Sequence, residues 1–289
     1  MIKNISKKLF SILKNSIGFK NQDLKLNDII LTIDASDSGG RQYLSKGSFE
    51  ELSSPFYTEI QNKFNPGLIL DIGANYGFTG LVFAKNFPKA EIVLIEPSRK
   101  LCQYIRHNFQ QNSFANYNIV NAICSDTINA NMLISLNPNS SQDNRVIPAG
   151  KGWKSESVPS ITIDSIIRNK NDQSFIFIKI DTQGFEERVF KGGQNLWSTR
   201  TNWLVKTEFA PHWLKSQGTD PITFLKELVA RFNVVELPLR FRYKGESFPG
   251  LFSKKIETSE VEPFVNYIQS LNKKSLGWCD LLIFPKQSK

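Results

Sequence analysis

The sequence predicts an α/β fold in which helices cover both faces of a mostly parallel sheet. Two apolar segments support this prediction, because residues 68–70 and 175–180 have the composition of strands buried on both faces. Each segment ends in a polar, glycine-containing turn and is followed by a stretch with helical periodicity. Strands that alternate with helices in this way are typical of parallel sheets.

The composition is that of a globular protein without disulfide bonds. Of the 289 residues, 40% are hydrophobic, which is sufficient for a buried core. The cysteines, Cys102, Cys124 and Cys279, are widely spaced and form no C-x-x-C pair. We therefore predict neither a disulfide framework nor a zinc site, and we expect a reducing, cytoplasmic environment.

The formal net charge of +9 does not by itself indicate an anionic partner. Lysines are scattered along the chain, and residues 240–244 contain too few aromatic and basic side chains for a nucleic-acid stacking platform. We therefore expect a solvated basic surface and no nucleic-acid partner.

The first 20 residues predict an amphipathic helix, because isoleucine and leucine recur at helical spacing between lysines. The lysines interrupt the segment too often for a transmembrane span or a signal peptide. Two interpretations stay open: the helix lies peripherally on an anionic membrane surface, or it packs against protein. We predict a cover segment, residues 1–54, that contains this helix, a strand over residues 28–34 and the turn Asp37-Ser38-Gly39-Gly40. We predict a ligand-binding domain over residues 55–289.

The turn after the first buried strand has the layout of a nucleotide pocket. It carries Asp71, Gly73, Asn75 and Gly77 in the pattern D-x-G-A-N-x-G, and its glycines allow the backbone to approach a ligand closely. A dinucleotide-binding G-x-G-x-x-G pattern needs a third glycine that is missing here. A nicotinamide-dependent oxidoreductase is therefore the weaker alternative.

Two later strand ends extend this predicted pocket. Glu96 follows a strand roughly twenty residues after the turn, where an acid holds ribose hydroxyls, and Ser98 lies beside it. Cys124 and Ser125 follow the third strand, at the position next to the base. The periodicity predicts helices over residues 56–64, 78–87 and 99–111 and strands over residues 91–95 and 118–123.

Residues 137–157 are rich in Asn, Ser, Gly and Lys and predict a long polar loop. Such loops often form the edge of a substrate site, and Trp153 is a candidate stacking face. Residues 161–165 then predict a strand that gives way to a short helix, with Asp164 as its cap.

The second buried strand predicts the chemical end of the site. It ends at Asp181, and we expect it to lie beside the first buried strand, where a doubly wound sheet reverses direction. A strand over residues 202–207 ends at Glu208, and His212 follows a few residues later. Further elements predicted are a helix over residues 221–232, a strand over 234–237 and an antiparallel edge strand over 279–284.

Together, LILDIGANYGFTG, IEPS and FIKIDTQGFEERVFKGG resemble the FkbM family of S-adenosylmethionine-dependent methyltransferases. The K-I-D-x-x-G-F-E motif is the most specific part, and the resemblance covers residues 66–209. Thr182-Gln183 departs from the family, in which an acidic residue often precedes the glycine. The resemblance implies a class I methyltransferase fold, which is Rossmann-like with a seven-stranded sheet, and an N-terminal helical and strand cover.

The resemblance also implies roles for the predicted site residues and an O-methyltransferase that acts on carbohydrate, glycan or related acceptors. Asp71, Gly73, Asn75 and Gly77 would surround the methionine portion of the cofactor. Glu96 would bind the ribose hydroxyls, and Ser98 would also contact the cofactor. Cys124 and Ser125 would approach the adenine. Asp181 would lie closest to the methyl group.

A hydroxyl acceptor requires help to lose its proton. The candidates for this role are Asp181 and His212 acting as a base, with Glu208 as a substrate contact. The alternative is a divalent metal held by Asp181 and Glu208, which we favour less because Mg²⁺ needs several oxygen ligands. A non-catalytic, membrane-associated binding module of the same fold is a further alternative. The sequence indicates neither the identity of the acceptor nor the oligomeric state.

Overall fold

The computed structural model describes residues 21–43, 54–146, 151–170, 173–237 and 248–286. The strands are β1 (Asn21–Leu26), β2 (Ile29–Asp34), β3 (Leu68–Ile72), β4 (Glu91–Ile95), β5 (Tyr117–Val120), β6 (Ile123–Cys124), β7 (Asn129–Leu136), β8 (Lys154–Ile161), β9 (Ile176–Ile180), β10 (Trp203–Phe209), β11 (Phe232–Leu237) and β12 (Cys279–Pro285). The helices are α1 (Ser38–Arg41), α2 (Ser54–Phe64), α3 (Phe78–Asn86), α4 (Arg99–Gln111), α5 (Ile163–Ile167), α6 (Glu186–Lys191), α7 (Gln194–Thr199), α8 (Pro211–Ser216), α9 (Pro221–Arg231), α10 (Phe248–Ser253) and α11 (Val261–Ser270).

The central sheet has seven strands in the order β11-β12-β10-β9-β3-β4-β5. Neighbours from β10 to β5 are parallel, whereas β12 runs antiparallel to both β10 and β11. The two buried strands of the sequence, β3 and β9, lie side by side as predicted. The carboxyl ends of β3, β4, β9 and β10 therefore share one edge. The predicted α/β fold with a mostly parallel seven-stranded sheet is confirmed.

Two apolar clusters fill the space between the sheet and its helices. On one face, Leu70 and Ile178 pack with side chains from α5 to α9 and from α11. On the other face, Ile69 and Phe177 pack with the β1–β2 hairpin and with α2, α3, α4 and α10. Because successive residues of β3 and β9 face opposite clusters, both strands are apolar throughout most of their length.

The third strand, predicted over residues 118–123, ends earlier than predicted. β5 ends before Asn121, whose Nδ2 donates hydrogen bonds to the carbonyl oxygens of Glu96 and Pro97 at 3.0 and 2.7 Å. The chain then enters β6, which belongs to a separate three-stranded sheet with β8 and β7. One apolar run thus spans two sheets, and hydropathy alone does not reveal the turn between them.

The predicted loop over residues 137–157 is wrong at its carboxyl end, which belongs to β8. β7 and β8 are antiparallel, so residues 154–157 lie in a strand, and β7 itself was not predicted. The pair buries Ile134 and Val158 in a small cluster, whereas Leu133 is exposed. With so few apolar positions, the alternation was too weak to indicate strands.

Asp164 does not cap α5 as predicted. Thr162 is the cap, and its Oγ1 accepts the backbone N–H of Ser165 at 3.1 Å. The Asp164 carboxylate instead accepts the backbone N–H groups of Asn195 and Leu196 in α7, each at 2.9 Å. Asp164 therefore connects α5 to the first turn of α7.

The β1–β2 hairpin of the cover segment packs on α4. The side chain of Asn108 accepts the backbone N–H of Thr32 at 2.8 Å and donates to the carbonyl oxygen of Thr32 at 3.1 Å. The predicted turn at Asp37 opens α1, with Asp37 as the helix cap. Residues 1–20 and 240–244, for which predictions were made above, lie outside the described residues. In the described ranges, no helix is long and apolar enough to cross a membrane.

Candidate active site

A cavity of about 560 Å³ lies at the edge shared by the carboxyl ends of β3, β4, β9 and β10. Its size is within the range of about 300–1,000 Å³ that is typical of small-molecule sites. Residues 141–146, between β7 and β8, also line it. The sequence-predicted residues that line it are Gly73, Asn75, Glu96, Cys124, Asp181, Glu208 and His212.

The turn after β3 lies directly against the turn after β9. Gly73 has a φ of +79°, and a Cβ atom added there would lie 1.9 Å from the carbonyl oxygen of Asp181. Only glycine permits this approach. The N–H groups of Gly73 and Ala74 donate to the carbonyl oxygen of Ile95 at 3.0 and 3.2 Å. The turn is therefore fixed between the ends of β4 and β9.

Glu96 is buried at the end of β4 and holds the neighbouring backbone. Its Oε2 accepts the N–H of Asn75 at 2.8 Å, and its Oε1 accepts the N–H of Ser98 at 2.9 Å. Burial raises the pKa of Glu96 to about 7, although these hydrogen bonds act in the opposite direction. Each carboxylate oxygen has a second lone pair. Glu96 can therefore still accept hydroxyl groups of a ligand in the cavity.

Asp71 is fully buried and forms an ion pair with Lys179. The Lys179 Nζ lies 3.2 Å from Asp71 Oδ1 and 3.8 Å from Asp181 Oδ2, and it donates to the carbonyl oxygen of Gly73 at 2.9 Å. Burial alone lowers the pKa of Lys179, but the carboxylates of Asp71 and Asp181 outweigh burial and raise it above its ordinary value. Lys179 is thus a cation that connects the ends of β3 and β9.

Four of the predicted cofactor residues do not line the cavity. Asp71 is one of them. Gly77, with a φ of +80°, precedes α3, and Ser98 caps α4. Ser125 is buried and its backbone N–H donates to the end of β8 at 2.8 Å. In this structure these four residues support the backbone that forms the cavity.

Glu186 fixes the turn that carries Asp181. Its Oε1 accepts the N–H groups of Thr182 and Gly184 at 2.8 and 3.2 Å and the hydroxyl of Thr182 at 2.9 Å. Gln183 and Gly184 adopt left-handed backbone conformations, with φ of +55° and +99°. Burial raises the pKa of Glu186. The acid of the G-F-E motif therefore has a structural role that the sequence analysis did not assign.

Three carboxyl groups lie side by side beyond β9, namely Asp181, Glu208 of β10 and Asp280 of β12. Glu208 is in register with Asp280 of β12. Ile180 and Thr207 form the last register pair of β9 and β10, and Asp181 and Glu208 follow them directly in the chain. Lys206 Nζ lies 3.1 Å from Asp280. Burial, together with the charges of Asp181, Glu186 and Asp280, raises the pKa of Glu208 well above its ordinary value. The buried Glu208 Oε2 has no hydrogen-bond partner among the described residues.

His212 lines the same cavity and lies in the first turn of α8. β10 continues beyond the predicted strand over residues 202–207, so Glu208 is inside β10 and α8 begins at Pro211. The His212 ring lies 4.7 Å from the Trp213 ring between centroids, and its Nδ1 is buried without a hydrogen-bond partner in the described part of the chain. Burial, and then the charge of Arg145, lowers the pKa of His212. The imidazole is therefore neutral at pH 7.

A metal held by Asp181 and Glu208 was the alternative mechanism. Across the described ranges, no group of three or more His, Cys, Asp or Glu side chains is arranged to hold a metal ion. The ammonium group of Lys179 lies 3.8 Å from Asp181. Metal binding by these two acids stays an untested prediction.

Several charged residues at this site were not predicted from the sequence. Lys179 and Lys206 interrupt apolar strands, and a buried lysine usually requires a partner acid. That signal could have indicated the ion pairs with Asp71 and Asp280. Arg145 gives no such signal, because it lies in a polar segment without hydrophobic periodicity.

The comparison with family models identifies one domain. The model of the methyltransferase FkbM domain matches residues 71–232, which is more than half of the chain. Ribosomal RNA small subunit methyltransferase G 3 of Bdellovibrio bacteriovorus is 43% identical over 47 residues, which are 16% of this chain and 21% of that protein. The chain thus matches about a fifth of the length of that relative.

The comparison with solved structures matches several methyltransferases at low sequence identity. Methyltransferase FkbM from Methylobacillus flagellatus KT has 12% identity and a TM-score of 0.42, over 76% of this chain and 44% of that one. The S-adenosylhomocysteine (SAH)-bound methyltransferase PaMTH1 of Podospora anserina has 12% identity and a TM-score of 0.45, over 81% and 78%. Because the family model matches more than half of its residues, the chain belongs to the FkbM family of S-adenosylmethionine-dependent methyltransferases.

Proposed function

We propose that this protein transfers a methyl group from S-adenosylmethionine to a hydroxyl group of a carbohydrate or glycan-type acceptor. The observation that supports this proposal is one cavity lined by two chemically different sets of residues. Backbone and acid groups suited to a nucleoside lie at β3, β4 and β6, whereas Asp181, Glu208 and His212 lie at the ends of β9 and β10. S-adenosylmethionine bound along the first set of residues would present its methyl group to the second set.

The chemistry of the first set fits S-adenosylmethionine. Glu96 would accept the ribose hydroxyls, the backbone of residues 73–75 would approach the methionine portion, and Ile123 and Cys124 would contact the adenine. When bound, this cofactor supplies an electrophilic methyl group on a sulfonium sulfur. The nearby Asp181 carboxylate favours a positive charge at that position.

In this proposal His212 takes the proton of the acceptor hydroxyl. An alcohol is a poor nucleophile unless its proton can leave in the transition state. His212 is suited to this role because it lines the cavity and its lowered pKa keeps the ring neutral. The raised pKa of Glu208 allows this side chain to be protonated and to orient the acceptor by donating a hydrogen bond.

Aromatic rings beside the acids support a carbohydrate acceptor. Trp213 and Trp278 both line the cavity, and Trp278 is 38% exposed. The apolar face of a sugar ring can pack on an indole while its hydroxyls bond to neighbouring carboxyl groups. The exposed Trp278 and the carboxyl groups that line the cavity could supply both kinds of contact.

The test compares the two histidines of the chain, His212 and His107. Turnover is measured as transfer of a labelled methyl group to a panel of sugars. We expect His212→Ala to lower turnover by roughly 10²–10⁴-fold and to leave SAH affinity unchanged. The matched control is His107→Ala, because His107 is exposed on α4, and we expect it to behave as the wild type.

Three results would count against this account. Undiminished turnover of His212→Ala would remove His212 from the mechanism. Loss of activity after exhaustive chelation, restored by a divalent metal, would favour the metal mechanism. Cofactor binding without transfer to any hydroxyl compound would favour the non-catalytic alternative.

A further inference from the structure

We propose that Arg145, held against Trp213, forms an oxyanion-binding subsite, so that the acceptor carries a carboxylate or phosphate group in addition to the methylated hydroxyl. This inference rests on the proposed function and specifies the acceptor class of the same cavity. Arg145, Trp213 and His212 all line that cavity.

The position of Arg145 is fixed by its backbone and by two aromatic rings. Its backbone pairs with Ser135 of β7 through two hydrogen bonds of 3.0 and 2.7 Å, and its Nε donates to the carbonyl oxygen of Asp143 at 3.2 Å. The guanidinium carbon lies 4.1 Å from the ring centroid of Trp213 and 5.5 Å from that of Trp153. A guanidinium stacked in this way keeps its edge available for hydrogen bonds.

The charge of Arg145 is incompletely compensated. None of the described carboxylates lies within salt-bridge distance of its guanidinium, and its Nη atoms donate no hydrogen bond to a described residue. Burial lowers the pKa of Arg145, and the charge of Asp143 opposes this only in part. The buried Lys179 and Lys206, in contrast, each have an acid within 3.2 Å. A ligand oxyanion would supply the missing partner of Arg145.

The location of Arg145 gives this charge a function in orienting the acceptor. The cavity has a row of acids, Asp181, Glu208 and Asp280, at the ends of the strands, and Arg145 lines the same cavity from the segment between β7 and β8. Asp181 and Asp280 repel an anionic group, and Arg145 attracts it. An anionic acceptor would therefore bind with its charged group at Arg145 and its hydroxyl toward His212 and Glu208.

The experiment uses SAH-loaded protein and calorimetric titration with D-glucuronate, D-glucose 6-phosphate and D-glucose at fixed ionic strength. We expect the wild type to bind at least one acidic sugar roughly tenfold more tightly than glucose, because charge-assisted hydrogen bonds are stronger than neutral ones. The two acidic probes distinguish a carboxylate from a phosphate. Arg145→Gln should abolish the preference with SAH affinity unchanged, and Arg145→Lys should retain part of it.

The matched control is Arg106→Gln, which removes an exposed arginine of α4 and should retain the preference. The proposal is overturned if neither acidic sugar binds better than glucose, or if Arg145→Gln keeps the preference. In the latter case Arg145 only attaches the segment between β7 and β8 to α8. Failure of SAH to bind would instead refute the proposed function, and the acidic sugars would then be compared on the cofactor-free protein.

Discussion

The Lys179 ammonium group lies 3.2 Å from the Asp71 carboxylate, and both side chains are buried. The pair joins β3 to β9, whose turns form one side of the cavity. Removing one partner of such a pair leaves an uncompensated charge in the interior, which typically costs more than the pair itself contributes.

We therefore expect Lys179→Met to lower the free energy of unfolding by about 3–5 kcal/mol, measured by urea denaturation. The double variant with Asp71→Asn should recover part of this loss, because no buried charge then stays unpaired. The control is Lys85→Met, which breaks the ion pair between Lys85 and Asp28. The side chains of Lys85 and Asp28 are 46% and 66% exposed, respectively. Its effect should be about 1 kcal/mol or less. Equal losses in the two single variants would contradict the proposed role of Lys179.

Gly73→Ala tests the close approach of the two turns. The added methyl group would lie 1.9 Å from the carbonyl oxygen of Asp181, so the turns must separate and SAH affinity should be lost. Gly218 is a matched control, because its φ of +85° is similar and nothing lies within 4 Å of an added Cβ. Gly218→Ala should cost only the backbone strain of about 1–2 kcal/mol and leave SAH binding intact. Normal SAH affinity in Gly73→Ala would show that the approach is not required.

Glu186→Ala tests whether the acid of the G-F-E motif acts by holding the turn. The N–H groups of Thr182 and Gly184 would lose their acceptor, so Asp181 would no longer be held in place. We expect a loss of about 1–3 kcal/mol in stability and a larger fall in turnover than in SAH affinity. Glu186→Gln keeps an acceptor oxygen and should be milder. Glu262→Ala, at an exposed position of α11, should change none of these quantities.

Glu96 should make cofactor affinity dependent on pH. Its pKa is raised from 4.5 to about 7 in the free protein, so protonation of Glu96 stabilises the fold below the unfolded-state pKa. This stabilisation is lost as the pH rises through about 7. Affinity for SAH has the opposite sign, because ribose hydroxyls donate to the ionised carboxylate. Affinity should therefore increase from about pH 6 to about pH 8 in calorimetric titrations, and Glu96→Gln should remove the increase. A flat profile in the wild type would exclude this role.

The sequence was sufficient to predict the strands that are buried on both faces of the sheet. The apolar runs of β3 and β9 predicted these strands, and the polar residues that follow them predicted that Asp181 lies at the cavity. The pairing of Asp71 with Lys179 could not be predicted in the same way, because it depends on the register between strands that are far apart in the chain.

The small sheet of β6, β7 and β8 was not predicted for a different reason. Its buried side consists of few residues, such as Ile134 and Val158, and most other positions are polar or exposed. The same segment carries Arg145, whose position beside Trp213 arises only when this sheet packs near α8. Residues that reach a site from such segments leave no periodic signal in the sequence.

The proposed function requires that the cavity binds S-adenosylmethionine with Glu96 at the ribose. We would test this by calorimetric titration of SAH into the wild type and into Glu96→Ala at pH 8. We expect saturable binding with one site per chain in the wild type and a loss of roughly tenfold or more in affinity in the variant, because charge-assisted hydrogen bonds to the ribose are removed. Absence of binding heat together with no SAH-dependent rise in the melting temperature of the wild type would contradict the claim.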